Sequence, residues 1–92
     1  MDTDESLLSF PCDFPIKVMG KAEDDFDALI VEIVRKHSPD LHEGAVKSRL
    51  SNEGRFVSVT VTIQAESREQ LDNIYMELSA EKRVLMALWA NL

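Results

Sequence analysis

The sequence predicts an α+β fold, a ferredoxin-like split βαβ plait (βαββαβ) with a four-stranded antiparallel sheet and two helices on one face. Three observations predict it. Residues 56–65 alternate strictly, Val57, Val59, Val61 and Ile63 against Ser58, Thr60, Thr62 and Gln64, the pattern of a strand buried on one side. Two helical segments each carry a single apolar stripe. The periodicities run strand, helix, strand, strand, helix, strand along one small domain, and a sheet covered on one side by both helices buries every apolar face.

The elements follow in order. Residues 1–10 read as a loose acidic leader ending in Leu7, Leu8 and Phe10, too short to fold by itself. The domain proper spans 11–88, and 89–92 form a C-terminal tail bearing Trp89. Ile16–Lys21 alternates as a half-buried strand, with Ile16 and Val18 on one side and Lys17 and Met19 on the other. Pro15 stands at its start and Gly20 at its end.

The spacing of Phe26, Leu29, Ile30, Ile33, Val34 and His37 predicts a helix over 22–37. Acidic Glu23, Asp24 and Asp25 lie at its positive end and Arg35, Lys36 and His37 at its negative end. Ser38-Pro39 stops it. Residues 45–50 read as a second strand, with Val46 and Leu50 on one face and Lys47 and Arg49 on the other. Ser51 to Arg55 has the composition of a hairpin turn. After the central strand, Ser67 with Gln70 makes a capping-box signature, and Leu71, Ile74, Tyr75 and Leu78 share a stripe. The last strand covers 83–88, with Val84 and Met86 expected to face inward.

Composition narrows the function. The 92 residues carry ten basic and seventeen acidic side chains, a net charge of −7, which does not suit gripping nucleic acid or an anionic membrane. A single cysteine, Cys12, forms no internal disulfide and no thiolate metal site, so a reducing cytoplasm is the expected home. No apolar run approaches the roughly 20 residues of a spanning helix, and the acidic start does not read as a signal peptide.

The chemistry-bearing residues give no catalytic set. His37 reads as a helix C-terminal partner and His42 as a loop residue. Asp13 beside Cys12 disfavours a thiolate. The carboxylates fall at helix starts or on solvent faces, where none has the apolar surroundings an acid/base pair needs. The sequence therefore predicts no catalytic residues, no metal, no cofactor and no enzyme activity.

The face of the sheet left free by the helices is more informative. Alternation places Lys17, Met19, Lys47, Arg49, Phe56, Ser58, Thr60 and Thr62 there, with Leu85 the candidate from the last strand. Basic side chains gathered on one face of an acidic chain suit an acidic partner. The plait that binds RNA through this face needs several stacked rings, and here Phe56 is accompanied by serine and threonine. The expected partner is therefore a protein such as a metabolic enzyme, or a second copy, with a small anion or metabolite as the other reading. It is met through the open sheet, an edge strand or the tail, with Lys17, Lys47, Arg49, Phe56 and Trp89 as the candidate residues.

Several runs resemble one family. Phe10-Pro11, Phe14-Pro15-Ile16-Lys17-Val18-Met19-Gly20, the helix exit Val31-Glu32-Ile33-Val34-Arg35-Lys36-His37-Ser38-Pro39, and Gly54-Arg55-Phe56-Val57-Ser58-Val59-Thr60-Val61-Thr62-Ile63 are similar to the YbeD-like family of small bacterial proteins of unknown function. The similarity continues through residues 71–78 and Arg83-Val84-Leu85-Met86-Ala87-Leu88. That family is similar in fold to the ACT-type regulatory domains, which bind amino acids in a glycine-bearing loop at a domain interface. The resemblance implies a regulatory domain, with Met19, Gly20 and Lys21 as the corresponding ligand loop. It also implies a second reading, a homodimeric sensor of a small metabolite.

Overall fold

The computed structural model describes residues 10–23 and 25–89, Trp89 by its backbone. Among the described residues the chain forms β1 (Cys12–Lys21), α1 (Phe26–His37), a short 3-10 turn (Glu43–Ala45), β2 (Val46–Leu50), β3 (Phe56–Ala65), α2 (Arg68–Ala80) and β4 (Val84–Trp89). The sheet order is β2-β3-β1-β4, with every neighbouring pair antiparallel. Each helix therefore links two strands that have a third between them, the interleaved arrangement of the ferredoxin-like plait.

The core lies between the sheet and the two helices. Ile16, Val18, Val59, Val61, Ile30, Val34, Ile74 and Leu78 are wholly buried in it. The stripes predicted for α1 and α2 face this core, except that Tyr75, at the margin of its stripe, is exposed. The β2–β3 turn closes with the Ser51 N–H donating to the Phe56 carbonyl at 2.8 Å. Gly54 takes φ +72° there, a conformation open to glycine with little strain.

Four boundaries or orientations differ from the sequence reading. β1 begins at Cys12, not Ile16, because Cys12, Asp13, Phe14 and Pro15 already register against Ala65, Gln64, Ile63 and Thr62 of β3. α1 begins at Phe26, not at residue 22. The Ala22 N–H still donates to the Arg55 carbonyl at 2.9 Å, which holds the chain extended beside the sheet. Phe10, assigned to the leader, packs half-buried against the core, and Trp89, assigned to the tail, ends β4 opposite Ile16. The rest of the leader, 1–9, and of the tail, 90–92, lies outside the described residues.

The fourth difference matters most for function. Met19 pairs with Met86 and Gly20 with Val84, so Leu85 is the extra residue of a bulge. The bulge shifts the alternation of β4. Val84 and Ala87 turn to the core, whereas Met86, expected to face inward, is 49% exposed on the open side.

Two side chains hold the helices in place. The Ser67 hydroxyl accepts from the Gln70 N–H at 3.1 Å, the N-cap that the sequence predicts. The Gln70 amide then accepts from the Glu66 N–H at 2.6 Å and donates to the His37 carbonyl at 2.7 Å, joining the start of α2 to the end of α1.

Candidate functional site

The strand registers build the open face row by row. One row runs Lys47 on β2, Thr60 on β3, Lys17 on β1 and Leu88 on β4. The next runs Arg49, Ser58, Met19 and Met86, and Lys21 stands opposite Phe56 at the end of the β1–β3 ladder. Neighbouring strands lie about 4.8 Å apart, so the face changes character across roughly 14 Å. It is cationic over β2, hydroxylated over β3, mixed over β1 and apolar over β4.

This face brings together Lys17, Lys47, Arg49 and Phe56 as the sequence reading expects. Lys17, Met19, Arg49, Phe56 and Ser58 share one shallow depression of about 320 Å³. Met86 and Leu88 join them and were not anticipated. Every residue of Val84-Leu85-Met86-Ala87-Leu88-Trp89 is apolar, so the sequence has no polar partner to set the phase of the strand. Leu88 at 46% and Phe56 at 40% exposure complete the uncovered apolar part of the face. Trp89 is placed in β4 by its backbone, and its side chain lies outside the described residues.

Gly20 does not occupy the loop that the resemblance assigned to it. It lies inside β1, is buried, and faces the ring of Phe26; a Cβ at this position would stand 2.5 Å from two ring atoms and 2.6 Å from the Arg83 carbonyl oxygen. Here glycine lets Phe26 and the start of β4 approach the strand. Met19 points to the open face and Lys21 ends the strand, so the three residues are not gathered around one recess.

Arg83 secures this corner. Its guanidinium meets Glu23 at 2.9 Å and Asp25 at 2.7 Å and lies 5.9 Å from the centre of the Phe26 ring. The hydrogen bond and charge of Arg83 hold the Asp25 carboxyl below its ordinary range. Glu23 and Asp25, read from sequence as partners of a helix end, thus serve a contact with a residue almost sixty positions along the chain. No local pattern carries that pairing.

His37 likewise has a specific partner. Its Nε2 lies 2.8 Å from Oε1 of Glu77 on α2, whose other oxygen pairs with Lys36. Lys36 first and His37 second hold the Glu77 carboxyl below its ordinary range. Among the described residues no group of three or more His, Cys, Asp or Glu side chains is placed to hold a metal ion. No helix among them is long and apolar enough to cross a membrane.

The fold and this face define a small ferredoxin-like plait with a half-cationic, half-apolar open sheet. A family model described as "Protein of unknown function (DUF493)" matches residues 5–88, and the chain belongs to that family. It is 49% identical over 88 residues to a UPF0250 protein of Janthinobacterium sp. (strain Marseille), covering 96% of this chain and 97% of that one. A UPF0250 protein of Chromobacterium violaceum is also 49% identical, over 87 residues, with 95% and 98% covered. The UPF0250 proteins are the YbeD-like group that the sequence motifs resemble. Among solved structures, the solution structure of protein HP0495 from H. pylori superposes with a TM-score of 0.70 at 17% identity, covering 98% of this chain and 97% of that one. At that identity the likeness concerns the fold.

Proposed function

We propose that this protein is a non-enzymatic adaptor or regulatory domain that binds a protein partner through its open sheet face. One observation carries the reading: Met86 and Leu88 on β4 and Phe56 on β3 stand uncovered on the same face as Met19, Lys17, Lys47 and Arg49. An uncovered apolar patch with charged side chains on the same face is a composition that marks protein interaction surfaces. The partner surface is apolar where it meets β1 and β4 and acidic where it meets β2.

Face-to-face self-association that lays β2 over β2 is disfavoured, because it sets Lys47 and Arg49 of one copy against those of the other. The metabolite-sensor reading has less support, since the ring of Phe26 fills the space above Gly20.

Affinity capture with the tagged protein at low salt tests the proposal. A partner held by the wild type and by a helix-face control, Met76→Glu, is expected to be lost with Lys17→Glu and with Met86→Glu. Retention by both open-face variants would contradict the proposal.

A further inference from the structure

A second surface adjoins the open face and has its own chemistry. β2 is an edge strand: β3 pairs with one side of it, and among the described residues no strand pairs with the other. An unpaired strand edge offers a row of backbone donors and acceptors. On the helix side this edge borders a groove of about 760 Å³, where Ala28 and Val31 of α1 and Val46 and Ser48 of β2 are joined by the charged Asp27, Glu32, Arg35, Lys36 and Glu43. On the open side the edge carries Lys47 and Arg49, both exposed and neither in an ion pair among the described residues.

A second copy is a poor occupant. Two β2 strands related by a two-fold axis must pair same face to same face, so open-side residues oppose open-side residues. Centring the pair on Ser48 sets Lys47 against Arg49 twice. Centring it on Lys47 or on Arg49 sets that residue against its own copy. Every same-face antiparallel register that pairs three or more residues of β2 thus opposes like charges directly, which is destabilising.

We infer that the β2 edge accepts an extended segment of a partner protein by strand addition, the segment carrying acidic residues at alternate positions and apolar residues between them. The acidic residues lie beside Lys47 and Arg49, and the apolar ones enter the groove between β2 and α1. Main-chain hydrogen bonds supply affinity, and the alternation supplies selection. The inference rests on the protein-binding reading above but uses a different surface, so the two can fail separately.

The test uses the full chain and a short peptide alternating glutamate and valine, with a scrambled peptide of the same composition as control. Amide hydrogen exchange and fluorescence anisotropy are followed at low salt. The alternating peptide is expected to slow exchange within Val46–Leu50 and to bind at least about tenfold more tightly than the scramble. The pair Lys47→Glu with Arg49→Glu is expected to lose that binding and to gain binding of the lysine–valine counterpart, with an unchanged melting curve. Lys17→Glu and Met86→Glu are expected to leave the β2 protection intact even where they abolish open-face capture.

Unchanged exchange in β2, or no preference over the scramble, would overturn the inference. So would protection of β2 without peptide: if it grows with protein concentration a second copy takes the edge, and if it does not, the chain covers its own edge.

Discussion

The ring of Phe26 occupies the place where a side chain at Gly20 would begin, 2.5 Å from an added Cβ. The contact explains why β1 passes so close beneath the start of α1, and it seats the corner that Arg83, just before β4, then closes. Gly20→Ala is expected to destabilise the fold by about 1–3 kcal/mol, the usual cost of overpacking. Urea unfolding of Gly20→Ala, Phe26→Leu and the double variant checks it. Partial recovery in the double variant is expected, because the Arg83 carbonyl remains in the way. Simple additivity would show that the two residues do not compete for space.

The bulge in β4 predicts opposite outcomes at adjacent residues. Met86→Glu is expected to change stability by less than about 0.5 kcal/mol, as exposed substitutions do. Ala87→Glu puts an unpaired carboxylate into the core and is expected to cost about 3 kcal/mol or more. Thermal melts of the two variants distinguish this register from an unbroken alternation, which predicts the reverse.

Gln70 joins two helix ends through one amide. Gln70→Ala removes the bonds to Glu66 and His37 and is expected to cost about 1–3 kcal/mol, against about 1 kcal/mol for the N-cap variant Ser67→Ala. Hydrogen exchange gives a finer check. Gln70→Ala is expected to loosen the last turn of α1 as well as the first turn of α2, whereas Ser67→Ala loosens α2.

Glu77 makes the helix pair sensitive to acid. Its carboxyl is held below the ordinary glutamate range by Lys36 and then His37. The stabilisation it provides is therefore present above the unfolded value near 4.3 and is lost as pH falls through the lower folded value. Glu77→Gln is expected to melt below the wild type at neutral pH and to converge with it at acid pH. A gap in melting temperature that stayed constant across that range would remove Glu77 from the account.

The parts of this structure visible in the sequence are those written by local alternation. β3 and its polar face, the stripes of both helices and the Ser67 cap each have neighbours of contrasting polarity to set their phase. β4 has none, so its bulge and the exposure of Met86 and Leu88 could not be read. The start of α1 was obscured because Glu23, Asp24 and Asp25 look like a helix N-terminus. What fixes the chain there is distant: Arg55 holding Ala22 and Arg83 holding Glu23 and Asp25. The cationic half of the open face was legible from Lys17, Lys47 and Arg49, and its apolar half awaited the β4 register.

The most direct measurement is site-specific photo-crosslinking in cells, with a photoreactive residue placed at Met86 on the open face or at Met76 on the outer side of α2. Both positions are highly exposed, at 49% and 66%, so access to solvent does not separate them. The account predicts a discrete protein adduct from position 86 that Lys17→Glu diminishes, and none of that size from position 76. Adducts from position 76 with none from position 86 would contradict it.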